Sequence, residues 1–308
     1  MPPKLGAPVA RWRTTLGSVV AAVAPLVVLT SSVPLPDPVP LDPVPVAMTT
    51  TPAPAPAAVK AKPPKRSSSS YKKALTRSLE DLPGRFAVSA HDLTTGRSYT
   101  YNRGLRTATA SIVKVDIVMA LLLRAQRQRR GLSSWERRAA ARAIKVSDNA
   151  AASALWSAIG GASGLAAANK KFGLRDTRPG PGGAWGATTT SAADQVRLLT
   201  ALTSRKSPLS AKNRRYVLGL MSDVAPEQSW GVSASGRKGA EVALKNGWLP
   251  REWHGGLWTV NSIGQVRDRG HTYLIAVISE RHGSMGAGVK TVERVSRLVT
   301  KAMSRAAS

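Results

Sequence analysis

The sequence predicts an α/β (α+β) domain. It has one antiparallel sheet built from early and late strands, terminal helices on one face, and an inserted all-helical block. Three observations predict this. A strand-like hairpin lies early, between Phe86 and Tyr101. The stretch from Ser111 to Met221 reads as a series of helices with no strand between them. Strand-like runs return only after Val242, and a helix closes the chain. Neither strand group can bury a face by itself, so the two halves are expected to meet in one sheet and fold as a unit.

The chain has 308 residues. Residues 1–32 read as a signal peptide or N-terminal membrane anchor: Lys4, Arg11 and Arg13 precede an apolar run from Leu16 to Leu29. That run is short beside the ~20 apolar residues of a spanning helix. Residues 33–70 are rich in Pro, Ala and Ser and read as a disordered linker, because such a composition buries no core and favours extended conformations. Residues 71–308 form the expected domain. These boundaries place the domain outside the cell, secreted or held at the outer face of the cytoplasmic membrane.

Within the domain, Leu75, Leu79 and Leu82 give a helix from Tyr71 to Leu82, stopped by Pro83-Gly84. Phe86–Leu93 and Ser98–Tyr101 read as strands joined by the turn Thr94-Thr95-Gly96-Arg97. A long helix is expected from Ser111 to Arg130. Another starts at Ser133 or Ser134 and runs to Val146. Ala150–Ile159, Leu165–Phe172, Ser191–Thr203 and Lys212–Met221 complete the block. A short strand is expected at Val242–Lys245. Longer ones follow at Trp258–Val266 and Thr272–Ser279, joined by a turn at 267–270. Val289–Met303 closes the domain as a helix.

Composition limits the chemistry. There is no cysteine, so disulfides and thiol catalysis are excluded. The four histidines show no metal-ligand spacing, and no cofactor or metal site is expected. Lys and Arg exceed Asp and Glu by 45 to 17, a net charge of +28. Such a surface attracts polyanions, and an anionic cell-wall polymer is an expected partner. No nucleic-acid fold signature is present, and no specific nucleic acid is expected. The domain is expected to be a monomer.

Three short motifs carry the chemistry. Ser111-Ile112-Val113-Lys114 puts a hydroxyl and an amine on one helix face, since residues three apart are neighbours there. A buried lysine with a lowered pKa can take the serine proton. Ser147-Asp148-Asn149 follows a helix within the block, and Lys245-Asn246-Gly247 ends a late strand. Each alone also fits a capping turn or a tight turn. Together, in this order, they match the S-x-x-K, S-D-N and K-T-G signature set.

On these motifs the chain from about Tyr71 to Ala302 resembles the class A β-lactamase-like, penicillin-recognising serine hydrolases. The resemblance implies a serine hydrolase acylated at Ser111 by β-lactams or related amides, with Lys114, Ser147, Asn149 and Lys245 as catalytic partners. It further implies that Asn246, Gly247 and Trp248 contact substrate, with the backbone N–H groups of Ser111 and Trp248 as the oxyanion hole. Trp248 side-chain stacking on a ring and Trp248 core packing both remain open. Two departures are visible. β-Lactamases of this class carry a deacylating glutamate in the loop after the SDN element; the stretch 175–190 here has only one carboxylate, Asp176. The interval from Ser111 to Ser147 is also shorter than usual in that family, which implies a more open cleft. Two further readings stand beside the first: a D-alanyl peptidase or transpeptidase-like wall enzyme acting on wall peptide, and a non-catalytic basic wall-binding protein.

Overall fold

The computed structural model describes residues 68–305, which lie within one compact unit. The expected leader (1–32) and nearly all of the linker (33–70) fall outside the described residues. The elements run α1 (Ser68–Glu80), β1 (Arg85–Asp92), β2 (Ser98–Tyr101), β3 (Thr107–Ala108), α2 (Val113–Arg127), α3 (Ser134–Lys145), α4 (Asn149–Ala158), α5 (Gly161–Phe172), β4 (Thr189–Thr190), α6 (Ala192–Thr203), α7 (Ala211–Ser222), β5 (Glu241–Arg251), β6 (Leu257–Asp268), β7 (His271–Glu280) and α8 (Met285–Arg305).

The early and late strands do form one antiparallel sheet, in the order β2-β1-β7-β6-β5. The key join is β1 with β7, from Arg85 opposite Glu280 to Asp92 opposite Tyr273. Alternation then sorts side chains to two cores. Val88, Leu244, Val260, Ile275 and Val277 pack with Leu75 and Leu79 of α1 and Val292, Val295 and Val299 of α8. Ala87, Ala243, Ile263, Ala276 and Ile278 pack on the other face with α2 and the rest of the helical block. The terminal helices thus share one face and the inserted block takes the other, as the sequence predicts.

Two boundaries differ from expectation in ways that matter. The strand expected at Val242–Lys245 is β5, which continues through Gly247 to Arg251. Asn246-Gly247 suggests a turn by composition, yet β6 pairs along the whole length, with Gly247 opposite Asn261 and Pro250 opposite Trp258. β5 is an edge strand, where a proline without an N–H is tolerated. The long helix also does not begin at Ser111. A 3-10 turn, Ala110–Ile112, precedes α2, and Ala110 has a left-handed φ of 48°. Ser111 is therefore not an N-cap. Ser133 is one: it forms a capping box with Glu136 at the start of α3.

Candidate active site

Ser111 is held where three elements converge. The short pairing of β3 with β4 and the bond from Thr109 N–H to Thr188 O (2.7 Å) fix one side. On the other side, buried Asn261 of β6 donates its amide to Ala108 O (2.8 Å) and Thr109 O (3.1 Å), and its Oδ1 accepts from Ser279 N–H. Gly247 lies directly against the turn. A Cβ there would sit 2.6 Å from Ser111 N and 2.8 Å from Ile112 N, so only glycine permits this approach. The left-handed Ala110 costs about 1–2 kcal/mol and persists because these neighbours over-determine it. Ser111 itself is half-buried, and its hydroxyl has no hydrogen-bond partner among the described residues.

Lys114, one turn on, is fully buried. Its Nζ donates to Ser147 O (2.5 Å), Ser147 Oγ (3.1 Å) and Asn149 Oδ1 (2.8 Å). Lys245 reaches the same hydroxyl from β5, because period-two alternation turns Ala243, Lys245 and Gly247 toward the helical block. Its Nζ donates to Ser147 Oγ (3.0 Å), Gln228 Oε1 (3.4 Å) and Asn246 O (2.9 Å). Ser147 thus bridges two ammonium groups. It holds this place at a left-handed φ of 57°, just before Asp148 caps α4 by accepting from Ala151 N–H.

Neither lysine has an ion-pair partner among the described residues. Burial lowers Lys114 to about 8, with only Asp148 opposing. Burial, then the Lys114 charge, lowers Lys245 to about 7. Asp116, also on α2, makes no ion pair with either lysine; it is fully buried, and burial pushes it up to about 7 against the opposing Gln195 side chain. The pair therefore titrates near neutrality, and one amine is available as a base there.

The motif residues Ser111, Lys114, Ser147, Asn149, Lys245 and Gly247 are brought together. The other two residues expected to contact substrate, Asn246 and Trp248, face elsewhere. Asn246 is buried and donates its amide to Gln228 O (2.8 Å) and Trp230 O (3.0 Å), tying down the 226–235 segment. The Trp248 indole packs with Trp230, ring centroids 5.7 Å apart, on the α8 side of the sheet. That orientation is core packing rather than stacking against Ser111.

Three residues at the site lie outside the motifs: Gln228, Asn261 and Trp185. Trp185 stands in the 175–190 segment, where a 3-10 turn packs against the Ser111 turn. Its ring lies over Lys114 Nζ, 4.9 Å from the ammonium, and its indole N–H donates to Ser153 Oγ (3.0 Å). The one carboxylate of the segment, Asp176, is consumed at its base. It pairs with Arg106 (2.8 Å) and accepts from Ser191 Oγ (2.9 Å), and these partners hold it below the usual carboxylate range against the opposing effect of burial. The sequence signal for Trp185 was its place as the one aromatic side chain in a loop of small residues.

Comparison with known proteins bears on the family and the fold. The model of the Beta-lactamase enzyme family matches residues 128–303, more than half of the chain, beginning after Ser111 and Lys114. Among curated proteins, "Putative lipoprotein LppW" of Mycobacterium tuberculosis (strain H37Rv) and of Mycobacterium bovis is 28% identical over 169 residues, 53% of this chain and 54% of theirs. The chain thus matches about half the length of these relatives. Among solved structures, a PBP-A mutant in an acyl-enzyme complex with penicillin G superposes with a TM-score of 0.66 at 21% identity, covering 79% of this chain and 100% of that one. A β-lactamase from Streptosporangium roseum gives 0.64 at 22% identity, covering 77% and 99%. At these identities the structures establish a shared fold.

Proposed function

The chain belongs to the Beta-lactamase enzyme family, and from that premise we propose that it is a serine acyltransferase-type hydrolase in which Ser111 is acylated by β-lactams or related amides. The observation that carries this is the Ser147 hydroxyl held between two buried lysines, 3.1 and 3.0 Å from their amines, one of them three residues after Ser111. Ser111 Oγ attacks the carbonyl carbon while neutral Lys114 takes its proton. The N–H groups of Ser111 and Trp248 receive the developing oxyanion. Ser147 then gives its proton to the leaving nitrogen and regains one from the lysine pair. The C–N bond breaks and an ester to Ser111 remains. The two coupled amines share one proton near neutrality; with it on Lys245, Lys114 is the base and Lys245 attracts the substrate carboxylate, while Gly247 lets substrate backbone lie close to β5. Asn246 acts through its hold on the 226–235 segment.

Release of that ester needs an activated water. The 175–190 segment supplies the Trp185 indole at Lys114 and no glutamate, and Asp176 is occupied by Arg106. The acyl-enzyme is therefore long-lived, and the protein binds β-lactams more than it destroys them. The same observation favours a second reading of the physiological substrate, a D-alanyl wall peptide. The PBP-A mutant, an acyl-enzyme with penicillin G on this fold, supports acylation as the first step. The curated relatives' name supports a secreted or membrane-held protein, although this chain has no cysteine to carry a lipid. Its cationic excess supports an anionic wall polymer as a surface partner of the monomer.

Intact-mass spectrometry of the full chain mixed with penicillin G tests the reading, with Ser111→Ala as control. A persistent adduct of one penicillin on the wild type and none on the variant is expected. Adduct on both, or on neither with penicillin and D-alanyl peptides alike, overturns it.

A further inference from the structure

The far end of α2 carries a second kind of site. Its fifteen residues place Arg127 about 20 Å from the Ser111 turn. Residues 124–145 hold eight lysines and arginines and one carboxylate, Glu136, and residues 205–215 hold five and none. Arg130 engages both oxygens of Glu136 (2.8 and 2.9 Å) and so cancels that one acid.

Two clefts flank the last turns of α2. One, about 390 Å³, lies between α2, the start of α3 and the start of α7, with Arg129, Arg137 and Lys212 on its walls. The other, about 460 Å³, lies between α2 and α5, with Arg124, Arg127 and Lys171. None of these six cations has an acidic partner among the described residues. Cations at a helix C-terminus do offset its dipole, for ~0.3–1 kcal/mol. One or two would suffice for that. Arg129, moreover, sits at a left-handed φ of 54° just past the helix, where glycine would be free of strain. A charged side chain is kept there at a conformational cost.

We propose that these paired clefts are the docking surface for a flexible, phosphate-bearing linear polyanion, which crosses the C-terminal end of α2 from one cleft to the other. The site rests on the reading that an anionic wall polymer is a partner, and it is independent of acylation. Concave clefts on two sides of a helix suit a chain that can bend into both; a membrane surface or a stiff duplex cannot enter them. Several cations around one cleft suit phosphate oxygens, which accept from several donors at once, better than a two-oxygen carboxylate. The polymer would then hold the domain with Ser111 facing away from the attachment.

The test is fluorescence anisotropy of labelled long-chain inorganic polyphosphate with the full-length protein, titrated at several salt concentrations. The cleft variant is Arg129→Gly/Arg137→Gln/Lys212→Gln. The control removes three exposed cations of α1, Lys72→Gln/Lys73→Gln/Arg77→Gln. The cleft variant is expected to bind at least tenfold more weakly, with the slope of log K against log salt reduced by about two to three. The control is expected to change less than threefold. Equal losses in both variants would mean diffuse attraction to the whole surface and overturn the site. Tighter binding of polyglutamate, anionic vesicles or duplex DNA at matched charge would overturn the partner. Folding is checked by the penicillin adduct, which the cleft variant retains. Polyphosphate binding by Ser111→Ala, where adduct is lost, separates the two proposals.

Discussion

The two walls beside Ser111 are built differently. On one, Lys114, Ser147, Asn149 and Lys245 form a closed network in which each amine finds three oxygens. On the other, the 175–190 segment offers an indole face, and its single carboxylate is locked to Arg106. Forming an ester and releasing it are separate chemical demands. On the proposed function, the first wall holds the groups for forming the ester, and the second presents an indole where its release would call for a water-activating acid.

That contrast breaks most sharply at Lys114. Replacing Lys114 by Met should slow acylation by penicillin about 10²–10⁴-fold, the usual worth of a positioned base, as read by stopped-flow or timed mass spectrometry. A rate near wild type would move the base elsewhere. Gly247→Ala comes next. Its methyl would press on the backbone nitrogens of Ser111 and Ile112, so acylation should fall about 10²-fold through a displaced oxyanion site. Intact rates would show that the turn can retreat.

The pH profile sharpens the first wall. Its lysines are held at about 8 and about 7, and acylation needs an uncharged amine. The rate should rise with pH and level off near pH 8, falling about tenfold per unit below pH 7. A flat profile from pH 5 to 8 would show that neither lysine is the base. Stability follows the same sign. The unfolded chain holds lysine protons between about pH 7 and 10.5 that the folded pair has shed, so the pair's contribution rises with pH across that window. Thermal melts of Lys245→Met should lose the Lys245 share of that dependence and keep the share of Lys114. The smallest effect belongs to the second wall. Trp185→Ala should leave acylation within about twofold and shorten the acyl-enzyme lifetime several-fold as water reaches the ester. An unchanged lifetime would remove the indole from the account.

Much of this was legible in one dimension. Leu75, Leu79 and the valines of α8 announce helices by spacing, and the hairpin of β1 and β2 announces itself by alternation. Local signals of this kind survive because each element must bury one face whatever surrounds it. The late motif was harder. Asn246-Gly247 has the composition of a turn, and only pairing with β6 carries β5 through it. Trp248 could not be assigned to a face until the strand's register was known. Trp185 had no periodic pattern to give it away, since loops are positioned by what they pack against.

The element types, the order of the three motifs, the absence of thiols and the cationic excess can all be read along the chain, because they depend on composition and on spacings within one helix or strand. The tertiary structure alone decided that Lys114 and Lys245, 131 positions apart, share one serine hydroxyl, that Gly247 abuts the Ser111 turn, and that an indole stands over the candidate base. Those are meetings between elements distant in sequence, the first two made through the five-stranded sheet and the third through the β3–β4 pairing. Their geometry follows from the β1–β7 join, from the β3–β4 pairing and from which face each side chain takes, and none of these is encoded in any single stretch of chain.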